Sequence, residues 1–103
     1  MDIVKISQGR QFSLKNVSKQ SLLQGDLEVT LICFEAGQRD EQSQEAHDSV
    51  YQVLEGEVLV RVGGETERLG KGKLLRMPAG TAHVLENAGG GLLVVMATTR
   101  AQG

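Results

Sequence analysis

A chain of 103 residues has room for one domain with one core and too little for two. Its net charge of −2, with acids and bases interspersed, offers no basic stripe to neutralise phosphates, so nucleic acid is not an expected partner. No apolar run approaches the roughly 20 residues that span a bilayer, the start Met1-Asp-Ile-Val-Lys-Ile does not read as a secretion signal, and the lone Cys33 excludes an intrachain disulfide. A reduced, cytoplasmic protein without membrane contacts is the expectation.

In chain order, Ile3-Val4-Lys5-Ile6 predicts a short strand within about residues 1–8. Residues 20–24 and 27–34 follow, separated by a Gly25-Asp26 turn. In the second of these, Leu27, Val29, Leu31 and Cys33 share one face by period two, and Cys33 reads as a small buried hydrophobe. After the Ala36-Gly37 turn comes a polar stretch with Glu41, Glu45, His47 and Asp48, whose acids read as a solvated loop. Strands are then predicted at 50–55, 58–62, 66–69, 73–77, 83–86 and 92–98. Gly63-Gly64 joins two of them and signals a hairpin with a primed turn. Leu92-Leu-Val-Val-Met is apolar on both faces, so that strand is central or covered on both sides. Many short strands at close spacing, with no sustained helical periodicity, define an all-β sandwich or barrel.

The most specific signal is Gly72-Lys-Leu-Leu-Arg-Met-Pro78-Ala-Gly80-Thr-Ala-His83-Val-Leu-Glu-Asn87. Pro78 and Gly80 force a turn, His83 opens the next strand, and alternation puts His83, Leu85 and Asn87 on one face. The spacing G-x5-P-x-G-x2-H-x3-N resembles the second motif of the cupins. A first motif, G-x5-H-x-H-x3,4-E-x6-G, normally accompanies it. Its closing half is similar to Val50-Tyr-Gln-Val-Leu-Glu-Gly56-Glu57, and its opening Gly matches Gly37. Its ligand half departs from the family pattern. Ser49 stands where the Glu belongs, and the two His positions fall on Gln42 and Gln44, or on Ser43 and Glu45 with the shorter spacer.

The resemblance implies a cupin-like double-stranded β-helix, a jelly-roll barrel running from about residue 25 to 98 of a single domain, and it implies a homodimer. Its interior would be lined by Val29, Leu31, Ser49, Tyr51, Val53, Val60, His83, Leu85, Val94 and Met96. Of the ligands that cupins use for Fe, Mn, Ni or Zn, only His83 is in place, so no tightly bound metal or other cofactor is expected. His47 either turns inward or faces water. Turned inward, it would join Glu45 and His83 in a makeshift site for a divalent transition metal. Ser49, Tyr51 and His83 would face a common ligand pocket, mostly aliphatic with a few polar groups. Tyr51 and His83 would serve as acid and base in the manner of the metal-free sugar epimerases of this class. Those enzymes also need clustered basic residues, whereas Arg61, Arg68, Lys71, Lys73 and Arg76 fall at hairpin positions. Two function classes therefore stand: a barrel that binds a small molecule, and a metal-dependent oxygenase or isomerase with a reduced ligand set.

Overall fold

The computed structural model describes residues 1–42 and 45–101. Nine strands follow a short 3₁₀ helix, Ile6–Gly9: β1 Ser18–Gln24, β2 Leu27–Phe34, β3 Arg39–Gln42, β4 Ser49–Glu55, β5 Glu57–Val62, β6 Glu65–Gly70, β7 Leu74–Met77, β8 His83–Glu86 and β9 Leu93–Arg100. They form a five-stranded sheet, β1-β2-β9-β4-β7, facing a four-stranded sheet, β3-β8-β5-β6. This is a jelly-roll barrel, as the strand spacing and the motif resemblance imply. No helix is long and apolar enough to cross a membrane among the described residues.

Strand β3 has no signature in the sequence. Arg39-Asp-Glu-Gln carries no apolar alternation, and pairing with β8 alone makes it a strand, with Asp40 opposite Leu85 and Gln42 opposite His83. A short, charged edge strand also resists pairing with other chains. The β5–β6 hairpin has the expected two-residue link, Val62 pairing with Glu65, and Gly63 takes the positive φ of 58°. Gly56 is constrained most tightly. Its φ is 81°, and a Cβ there would stand 2.3 Å from the Leu92 carbonyl oxygen.

The core between the sheets is built on Ile32 and Phe34 of β2, Tyr51 and Val53 of β4, Val58 and Val60 of β5, Met77, Leu85, and Leu93 and Val95 of β9. Four interior assignments from the sequence are therefore corrected. Val29, Leu31, Val94 and Met96 lie on the outer face of the five-stranded sheet, where Leu31, Cys33 and Val94 form a second cluster with Phe12, Leu22, Leu54 and Met96. Both faces of β2 and β9 are apolar, so alternation could not choose between them. The strands change face together because Leu31 pairs with Met96 and Cys33 with Val94.

What covers the outer face is the N-terminal segment, and here too the sequence expectation is corrected. Residues 3–6 form no strand; Ile3 is 86% exposed and has no ladder to join. The following 3₁₀ turn instead brings Gly9 against Leu22 and Leu31, so closely that a Cβ at Gly9 would fall 2.9 Å from Leu22 Cδ2. Arg10 makes a twofold contact with Glu55, at 2.9 and 3.0 Å, and lies over the Phe12 ring. At this exposure the ion pair adds at most about 1 kcal/mol, so burial of the apolar outer face holds the segment. Cys33 is fully buried beneath it and donates its S–H to the Gly9 carbonyl at 3.6 Å. Burial pushes the Cys33 thiol pKa up.

The native Cys33 thiol is expected to react slowly with an aromatic disulfide reagent. Gly9→Val should lift the segment and speed labelling by at least about tenfold without unfolding the barrel. Fast labelling of the unmodified protein would show that the outer face is not covered in solution.

Candidate functional site at the barrel mouth

The second motif builds one side of the mouth. The Pro78-Ala79-Gly80 turn is held from below by Asp48, whose carboxylate accepts the Ala79 N–H at 2.8 Å and an Arg76 N–H at 2.9 Å. These contacts hold its carboxyl below the usual range, the Ala79 N–H contributing most. Gly80 donates its N–H to the Glu45 carbonyl oxygen at 2.9 Å, which fixes the Glu45 loop at the mouth. Of the residues read as a solvated polar loop, Asp48 is an exposed loop residue as expected and Glu41 is exposed, but two details differ from that reading. Glu41 belongs to β3, and Glu45 lines the cavity. Asn87, which closes the motif, is a structural residue. Its buried amide donates to the Phe34 and Gly91 carbonyls and accepts from Gly89 N–H.

Behind this turn, His83 and Tyr51 meet in the interior. Both are 4% exposed, and the Tyr51 hydroxyl lies 2.8 Å from His83 Nε2. His83 Nδ1 lies 2.8 Å from the Thr81 carbonyl oxygen. A carbonyl can only accept, so Nδ1 carries a proton, and in the neutral imidazole Nε2 is then the acceptor. Tyr51 O–H therefore donates to Nε2. The rings meet edge to face at 5.5 Å. The Tyr51 pKa is pushed up to about 12, first by burial and then by the negative charges of Asp40 and Glu45, against the opposing Ser49 hydroxyl. The phenol thus stays neutral at physiological pH and acts as a hydrogen-bonding group, not as a base.

In front of this pair is a cavity of about 210 Å³. Ser49 and Tyr51 line it together with Lys19, Glu28, Thr30, Ile32, Glu45, Ala97, Thr99, Arg100 and Ala101. His83 is not among the lining residues and reaches the cavity only through its hydrogen bond with Tyr51. The lining is more polar than the aliphatic pocket the sequence implies, because the face of β2 that points inward is the one carrying Glu28 and Thr30. Those two and Thr99 were missed because the face of β2 and β9 was misassigned, whereas Lys19 of β1 and Arg100 at the end of β9 join the lining through tertiary packing that the face choice does not reveal. Lys19 bridges to Asp40 at 2.9 Å, tying the edge strand β1 to the edge strand β3 across the mouth.

His47 does not join the site. It lines a surface groove with Val50 and Thr98, which pair on the outer face of β4 and β9, whereas Ser49 and Tyr51 point inward. The makeshift His47–His83–Glu45 metal site is therefore not assembled. No group of three or more His, Cys, Asp or Glu side chains able to hold a metal ion occurs among the described residues. Ser43 and Gln44 lie outside the described residues. Ser49 is a poor ligand at neutral pH, Tyr51 stays protonated, and the free nitrogen of His83 is capped by the Tyr51 hydroxyl, so this set does not suit a transition metal. The cavity lining holds Lys19 and Arg100, and the hairpin residues read from the sequence are not among its cations. Arg61, Arg68 and Arg76 pair with Glu86, Glu57 and Asp48 on the surface, and none lines the cavity.

With fold and site described, the comparisons identify the class. Residues 23–99 match the family model described as Cupin domain. The chain belongs to the cupin family. It is 38% identical over 64 residues to an uncharacterised protein of Streptomyces coelicolor; the match covers 62% of this chain and spans 61% of that protein's length. Among solved structures, a protein of Thermus thermophilus superposes with a TM-score of 0.90 at 28% identity, covering all of both chains. A cupin of Desulfovibrio desulfuricans superposes with a TM-score of 0.84 at 19% identity, over 97% of this chain and 96% of that one, a likeness of fold alone.

Tyr51 is the only tyrosine in the chain, so its titration can be followed directly. Ultraviolet difference absorbance of the native protein should show a midpoint near 12 in place of the usual value of about 10. The folded state then holds a proton that the unfolded state has lost. Stability contributed by this group is complete below about pH 10 and falls as pH rises toward 12. A native midpoint near 10 would mean that Tyr51 is exposed to water.

Proposed function

We propose that this cupin binds a small organic molecule at the mouth of its barrel and works without a tightly bound metal. The observation that carries the reading is the 2.8 Å hydrogen bond from the Tyr51 hydroxyl to His83 Nε2. It occupies the only histidine nitrogen that faces the interior, at the position where the motif resemblance implies a metal ligand. Displacing it would take from the buried phenol the acceptor of its O–H, at a cost of about 1–3 kcal/mol before any metal bond forms. The cavity supports the reading from the other side, since it has the volume for a small ligand and both polar and apolar walls.

A cytoplasmic homodimer belongs to the same reading. The buried, unpaired Cys33 suits a reducing compartment. Exposed apolar residues near the N-terminus and on the outer surface, Ile3, Val4, Ile6, Leu27 and Leu74, would gain cover from a second copy.

Elemental analysis of protein purified without a His tag and dialysed against a chelator is expected to give far less than stoichiometric Fe, Mn, Ni or Zn. Stoichiometric metal that is lost in His83→Ala would replace this reading with the metal-dependent oxygenase or isomerase. Sedimentation at micromolar concentration is expected to show a dimer, and a stable monomer there would remove the association.

A further inference from the structure

We propose that the mouth cavity selects a ligand that donates hydrogen bonds and carries positive charge, a primary ammonium above all, over a carboxylate of the same size. This rests on the small-molecule reading and specifies its substrate class. The direction of the hydrogen bonds around the cavity is what carries it. Four hydroxyl groups line the space, those of Thr30, Ser49, Tyr51 and Thr99; Ser49 hydrogen-bonds the Tyr51 phenol oxygen, and the other three also give their protons to the protein. Tyr51 donates to His83 Nε2, Thr30 donates to Glu28 Oε1 at 3.4 Å, and Thr99 donates to the Asp48 carbonyl at 3.1 Å. What these groups still present to a ligand is oxygen lone pairs.

The charges point the same way. Lys19, one of the two cations of the lining, is engaged by Asp40 at 2.9 Å. The other, Arg100, is exposed, so water and salt weaken its pull on an anion. Glu28 and Glu45 are half-buried and act through a lower effective dielectric. Neither carboxylate is in an ion pair among the described residues. A carboxylate ligand would meet two half-buried like charges and a set of lone pairs. An ammonium would meet acceptors for each of its N–H groups, while its carbon chain could lie on Ile32 and Ala97.

Three probes of matched carbon number test this: n-butylammonium, n-butanol and n-butyrate, titrated while the backbone amide NMR signals of Thr30, Ser49 and Tyr51 are followed. The ammonium is expected to shift these signals saturably and to bind more tightly than the other two. Glu45→Gln and Glu28→Gln should each weaken it by on the order of tenfold and leave butanol binding unchanged. In the unmodified protein, added salt should weaken the ammonium and not the alcohol. Butanol or butyrate binding at these signals at least as tightly as the ammonium would overturn the charge preference and leave the small-molecule reading standing. If no probe moves these signals, both fail.

Discussion

The fold depends on one pair of neighbouring strands that is apolar on both sides. Leu31 and Phe34 of β2 and Leu93 and Val95 of β9 are fully buried, yet Leu31 faces outward and the others inward. Each such side chain contributes about 1.5–3 kcal/mol when removed from water. The energy is recovered on both faces only if both are covered. The four-stranded sheet covers one, and the N-terminal segment through Gly9 and Phe12 covers the other. That explains why Gly9 is held so closely against Leu22 and Leu31, and why the Cys33 thiol, which shares the face of Leu31, lies beneath the segment.

Once β2 is fixed by that double burial, the chemistry of the mouth follows. The inward face of β2 ends in Thr30 and Glu28, and these join Ser49 and Tyr51 of β4. At the floor, two hydrogen bonds set the direction of the whole polar network. Thr81 accepts from Nδ1, which leaves Nε2 to accept from Tyr51, which leaves the phenol oxygen as an acceptor toward the cavity. Burial and the neighbouring Asp40 and Glu45 keep the phenol protonated, so the arrangement is self-consistent. His83 in this position is the middle of a polar chain that runs from the Thr81 carbonyl to the Tyr51 hydroxyl.

Much of the barrel was legible along the chain. β2 and β8 were placed to the residue, and the remaining predicted barrel strands within two, because β-branched and leucine-rich runs alternate between Gly turns. The turn at Pro78-Ala-Gly80 follows from its residue types, and period two groups Ser49, Tyr51 and Val53 on one face of β4, which the cupin resemblance implied to be the inward one. The ambiguity of β2 and β9 was not resolvable locally, nor was β3, whose four polar residues become a strand only through bonds to β8.

The sequence by itself determined the strand succession, the turn chemistry and the loss of the usual metal-binding side chains, since each depends on residue types at fixed short spacing. Tertiary structure alone decided which face of β2 turns inward, that His47 lies outside while Glu45 lines the mouth, and that Tyr51 caps His83. Those outcomes depend on which segments meet across the fold, and a hydrogen bond between residues 32 apart in the chain has no local signature.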